Sequence, residues 1–200
     1  MTHESLRIIR EEHASLRVML RSLEALAERG PRAPSARYFT ALRAVFFCID
    51  EFYEAQQHPK ESKLLFPKVA AASQQAAAAV LRFDQDHDNG ASSARELQHL
   101  LLAWEMVGSI RRATFKVACS GYIERLIEHI ALEARLILPQ AKRCLCADDW
   151  ERLDLAFARG GCAIKSSYLA DPDYARLLAH ISQTANKPPT AKFAFPSSTF

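Results

Sequence analysis

Residues 4–29 read ESLRIIREEHASLRVMLRSLEALAER, and their periodicity decides the class of fold. Leu6, Ile9, His13, Leu16, Leu20, Leu23 and Leu26 recur at three- and four-residue steps. That spacing lays them along one stripe of an α-helix. Gly30-Pro31 and Pro34 end the segment, and Ser35 is able to cap the next helix. A single polar residue, His13, interrupts the stripe. An isolated histidine on an apolar face is more often a hydrogen-bonded core residue than a ligand, so His13 has to be weighed with the rest of the chain.

Working outward, a second helix is expected from about Ala36 to Ala72 through Phe39, Leu42, Phe46, Ile49 and Tyr53, with Pro59 kinking or interrupting it. A third runs from Gln74 to about Asp88, where Asn89-Gly90 can break it locally before helical character resumes from Ser93 to Val107. The fourth spans about Ser109 to Cys144, with Phe115, Tyr122, Leu126, His129, Leu132, Glu133 and Leu136 near one face. Two shorter helical segments follow, one over Asp148 to Phe157 and one starting at Asp171-Pro172-Asp173. The reading is all-α, an antiparallel up-down four-helix bundle over 1–146. A helical extension over 147–185 is expected to pack on the bundle, and 186–200 to be a flexible tail.

Composition agrees and excludes several functions. Apolar residues make up 49% of the 200 and only 6 are glycine, which suits a helical globule. The net charge of +3 alternates with acidic residues along helical faces, so no nucleic-acid partner is expected. No apolar run is long enough to span a membrane. The five cysteines form no Cys-x-x-Cys and read as free thiols of a cytoplasmic protein. Phosphate-binding glycine loops and Gly-x-Ser-x-Gly elbows are missing. A ferritin-like carboxylate centre would need Glu-x-x-His twice, and Glu96-Leu-Gln-His99 supplies one copy.

Each of the four long helices carries a histidine: His13, His58, His87 and His129. His129-Ile-Ala-Leu-Glu133 adds a carboxylate four residues on, on the same helical face. Imidazole and carboxylate together hold iron, zinc or manganese, and a bundle can aim them at one point from several sides. His3, His99 and His180 lack such support. Tyr53 and Tyr122 read as core residues, though a phenol near the centre could supply an oxygen.

Two segments resemble a known family. Gln57-His58-Pro59-Lys60-Glu61-Ser62-Lys63-Leu64-Leu65-Phe66-Pro67 is similar to the His-His-Pro-Lys-Glu-Glu…Leu-Phe-Pro signature of hemerythrin-like, HHE cation-binding proteins. His129 to Glu133, followed by Ile137-Leu138-Pro139, resembles the matching second half-site. Glu12-His13 and Asp86-His87-Asp88 fit the other two helices in order. The resemblance covers about Ile8 to Ile181.

It implies a bundle around a non-haem di-iron centre that binds dioxygen, senses oxygen or nitric oxide, or serves iron handling. A homo-oligomer or protein partner is compatible with it, and any enzymatic role would be that of a non-haem iron oxidoreductase. Mapped onto this chain, His13, His58, His87 and His129 would be terminal ligands and Glu133 a bridge. The second bridging carboxylate should follow His58 by four residues, where Ser62 stands. Glu61 is the substitute on hand, but its own i−4 neighbour is Gln57, where relatives often carry histidine. The centre could hold two metals with Glu61 swinging in, hold one, or be vestigial, leaving a metal-free regulatory or interaction bundle.

Overall fold

The structure is a computed structural model that describes residues 3–31 and 35–159. Within them five helices follow one another and no strand occurs. Helix α1 spans Glu4–Arg29. Helix α2 covers 35–72, α3 is Gln74–Val107, α4 covers 109–144 and α5 is Ala147–Arg159. The second segment expected in the extension and the expected tail lie outside the described residues.

Connections are short, so neighbouring helices run antiparallel. One residue, Ser73, separates α2 from α3, and its hydroxyl accepts from the backbone N–H of Ala76. Gly108 alone separates α3 from α4. Pairs across the helices show the directions. The Tyr38 hydroxyl donates to the Leu26 carbonyl, Arg43 pairs with Glu105, Arg82 with Glu128 and Lys116 with Glu28. In each pair an early residue of one helix meets a late residue of its neighbour. At the α1–α2 turn Gly30 has φ 71°, where glycine is favoured. There the Arg112 guanidinium from the start of α4 donates to the carbonyls of Ala27 and Glu28. A Cβ on Gly30 would lie 2.8 Å from that guanidinium carbon. The backbone conformation therefore calls for glycine, and its missing side chain leaves room for Arg112.

Two sequence expectations are corrected. Asn89-Gly90 does not break α3, which is continuous from Gln74 to Val107. Pro59 does not interrupt α2 either. Instead the helix widens into π turns over Ile49–Gln57 and Glu61–Leu65, and α4 does the same over Glu133–Ile137. Each π segment ends two residues before a proline. The N–H groups of His58, Phe66 and Leu138 reach back five residues to the carbonyls of Tyr53, Glu61 and Glu133, and Pro59, Pro67 and Pro139 follow. A proline has no N–H to give and its ring crowds the preceding turn. A one-residue widening accommodates both without ending the helix.

The apolar core is in two blocks. One, toward the α1–α2 turn, packs Leu16 to Leu26 of α1 against Tyr38 to Tyr53, Ala94 to Trp104 and Phe115 to Ile130. The other packs Leu6, Ile8 and Ile9 against Leu65, Phe66, Val80, Phe83, Ile137 and Leu138, with Trp150, Leu153 and Phe157 of α5 closing it. Between the blocks, every long helix crosses a polar layer.

Candidate metal centre

The buried polar and charged residues are Ser5, His13, Glu54, Gln57, His58, Glu61, His129 and Glu133. All but Ser5 belong to the layer between the two core blocks. His87 joins them, its side chain 6% exposed. Burying so many polar groups is costly unless something satisfies them. In this layer several atoms have no hydrogen-bond partner, among them His58 Nε2, Glu61 Oε2 and Glu133 Oε1. Such a concentration of orphaned donors and acceptors is the signature of a site built around a cation.

The four sequence-predicted histidines and Glu133 come together in this layer. So does Glu61, which is fully buried. On α2 the inward positions are 54, 57, 58, 61 and 65, the ordinary three-four stripe, and Ser62 falls at its edge. Ser62 is half-buried and flanks the inward stripe. Its hydroxyl lies 2.8 Å from His87 Nδ1, bracing that ring from behind. Glu61 occupies the centre, with Oε1 3.9 Å from His13 Nε2 and Oε2 3.8 Å from His87 Nε2. One carboxylate oxygen faces each side of the site.

Donor atoms converge in two groups. In the first, one atom each from His58, Glu61, His87 and His129 lie within 4.8 Å of one another. His87 Nε2 and His129 Nε2 are 3.2 Å apart, and the His58 ring stacks on His87 at 3.6 Å between centroids. In the second group, His13, Glu61 and Glu133 meet the same distance test, and His13 Nε2 is 3.1 Å from Glu133 Oε2.

Behind the first group, each imidazole has an oxygen at Nδ1. Glu54 Oε2 is 2.9 Å from that of His58, the Ser62 hydroxyl backs His87, and Asp86 Oδ2 is 3.3 Å from that of His129. An acceptor at Nδ1 puts the ring proton there and leaves Nε2 as a free lone pair pointing inward. Glu54 was not singled out from the sequence, and Asp86 was read only as a flank of His87, not as a partner of His129. Their signals were present, however: Glu54 precedes His58 by four residues, and Asp86 is adjacent to His87 and one turn across from His129.

Electrostatics favour the metal-competent state of the rings. Burial, reinforced by neighbouring imidazoles, holds His58 well below its ordinary value and His87 down at about 2. Burial also lowers His13 to about 4, against the pull of Glu61. Neutral imidazole is the form that ligates. The carboxyls move the other way. Burial and the nearby Glu133 push Glu61 well up, and burial raises Glu133, Glu54 and Glu12 each to about 7. Carboxylates that resist ionising in a dry layer are those a cation would relieve.

A cavity of about 380 Å³ leads from the surface to this layer. Asp86, Asn89, Glu96, Tyr122 and Arg125 line it, and His58 and His129 close its inner end. The Tyr122 hydroxyl is buried without a hydrogen-bond partner, as is that of Tyr53. His99 is exposed in a separate groove with Arg43 and Arg95. His3 stacks on Trp150 at the end of the bundle, and His180 lies outside the described residues.

A four-helix bundle enclosing converging histidines and glutamates defines a cation-binding helical protein. Residues 4–141 match the model of the hemerythrin HHE cation-binding domain, and the chain belongs to that family. No curated protein and no solved structure matches the chain.

Proposed function

We propose that this chain binds non-haem iron through His13, His58, His87, His129, Glu61 and Glu133, and presents it to a diatomic ligand such as dioxygen or nitric oxide. The observation that carries the reading is the convergence of buried imidazoles and carboxylates in one layer, where several inward atoms lack a hydrogen-bond partner. Nitrogen and oxygen donors in this mixture suit iron, while zinc and manganese would also be accepted. Bound iron would supply a redox-active centre able to take a small ligand. The protein's part is to hold the rings in one tautomer, to keep the layer dry, and to leave one approach open along the Tyr122 cavity.

A metal-free interaction module is the competing reading. It would be favoured by an apolar filling of the layer or by a cation paired with Glu133. Neither is found among the described residues: the layer is polar, and the group nearest Glu133 is His13, which burial keeps neutral until pH falls toward about 4. A cytoplasmic setting belongs to the same proposal. It is supported by the unpaired thiols of Cys48, Cys119, Cys144 and Cys146. No helix among the described residues is long and apolar enough to cross a membrane.

The test is metal analysis of protein purified without chelator, followed by an anaerobic ferrous titration read by thermal unfolding. A native-state ligand at a hundredfold excess over Kd adds about 2.7 kcal/mol. Iron is expected to raise Tm, and His129→Ala to remove most of the rise. An unchanged melting curve at every ferrous concentration would favour the metal-free module.

A further inference from the structure

Resting on that reading, we propose that the two halves of the centre are unequal and load in order. The first cation settles among His58, His87, His129 and Glu61. The second position, between His13, Glu61 and Glu133, is held weakly because Gln57 stands where that half would have its second imidazole.

Three observations carry this. The first is donor count. One half offers three imidazoles and a carboxylate oxygen, and the other a single imidazole and two carboxylates, one of them shared. Neutral nitrogen donors suit ferrous and zinc ions, and four donors complete a tetrahedral shell where three leave it open.

The second observation is the placement of Gln57, which is 1% exposed. Its amide nitrogen donates to Glu61 Oε1 at 2.6 Å. This is the same oxygen that faces His13, so it is the one the second cation would use. The remaining amide oxygen of Gln57 is buried without a partner. An amide oxygen is a neutral, weaker donor than imidazole nitrogen toward such ions. Comparing the two carboxylate helices shows what is missing. Glu133 follows His129 by four residues and precedes Pro139 by six, and Glu61 follows Gln57 by four and precedes Pro67 by six. The two helices correspond, and Gln57 takes the place of a histidine.

The third observation is access. The surface cavity ends on His58 and His129, both in the three-imidazole half. Neither His13 nor Glu133 lines it. A cation arriving by this route meets the stronger half first, and once bound it repels a second ion across Glu61.

The experiment is anaerobic titration calorimetry with ferrous ion on the full chain, comparing wild type with His13→Ala, His129→Ala and Gln57→His. Wild type should show two steps, the second weaker by at least about tenfold. His13→Ala should remove the second step and leave the first within about twofold. His129→Ala should abolish the first. Gln57→His should tighten the second step by about tenfold or more. Two equal steps in wild type, a first step weakened as much by His13→Ala as by His129→Ala, or a second step unmoved by Gln57→His in a folded variant would each overturn the proposal. Those outcomes leave iron binding itself intact. Wild-type protein that takes up no ferrous ion would instead overturn the functional reading, and this one with it.

Discussion

Ser62 shows how much depends on a single side chain. It stands where a four-residue count from His58 predicts a carboxylate, yet its hydroxyl backs His87 at 2.8 Å. It shares this role with Glu54 and Asp86 behind the other two rings. Partners of this kind fix the tautomer, and their loss commonly costs about 10–100-fold in metal affinity. Ser62→Ala is therefore expected to weaken ferrous binding by about tenfold while leaving apo Tm nearly unchanged, and Ser62→Thr should restore it. Calorimetry on both variants checks this, and unaltered affinity in Ser62→Ala would show that the Ser62 hydroxyl does not brace His87. His13 and His129 were legible because each lies on an apolar stripe of its own helix, and His58 and His87 because the residues around them resemble the family's motifs. What stayed illegible was the choice among Gln57, His58, Glu61 and Ser62. Consecutive positions bracket the inward face, and counting from one of them cannot say where that face is centred.

The elements show the same division between pattern and exception. Helix lengths followed from periodicity, and the first turn from Gly30-Pro31. The effects of Pro59 and Gly90 did not, because a helix interior has more than one answer to each. Pro59 was absorbed by the π turns of Ile49–Gln57, and Pro67 and Pro139 by those that start at Glu61 and Glu133, two of the groups aimed into the layer. At Gly90 the helix continues, and the missing side chain leaves room for Glu54. A Cβ there would lie 2.5 Å from Glu54 Oε2. Replacing a helical glycine by alanine gains up to about 1 kcal/mol from backbone propensity. Gly90→Ala must displace the Glu54 carboxylate, and with it the brace on His58. The expected outcome is a split: apo stability held or slightly raised, and ferrous affinity reduced. Thermal melts and titration on one preparation measure both. A variant equal to wild type in affinity would show that Glu54 is dispensable to His58.

For the whole molecule, the polar layer sets a stability that depends on pH in a definable way. Glu133 moves from an ordinary 4.5 to about 7 on folding. A raised carboxyl stabilises the fold fully below its unfolded value, and that contribution disappears as pH rises through the folded value. Glu54 and Glu12 follow the same course. His13, lowered from 6.5 to about 4, acts in the opposite direction. The unfolded chain takes the proton that the folded chain refuses, so stability falls as pH drops from 6.5 toward 4. Below pH 6.5 the lowered His13, His58 and His87 oppose the carboxyls, so metal-free protein is expected to lose Tm mainly as pH rises from about 6.5 through the carboxyl value of about 7. Glu133→Gln should flatten the alkaline side, and saturating ferrous ion should flatten it further. Calorimetric scans across that range test the sign. A metal-free Tm that rises from pH 6 to pH 8 would contradict the burial-driven shifts.

The clamp at the α1–α2 turn has an optical consequence. The chain has two tryptophans. Trp104 is boxed in by Tyr38, Phe39 and Phe115 near the Arg112 guanidinium that fastens α4 to the end of α1. Trp150 lies beyond the polar layer at the opposite end, its ring stacked 3.8 Å from His3, which is only half-buried. Helices fastened at one end can shift mainly at the other when an ion draws the layer together. Trp150 is then a reporter and Trp104 its internal reference, both native to the sequence. Ferrous or zinc loading should change the emission of wild type and of Trp104→Phe, and leave that of Trp150→Phe almost flat.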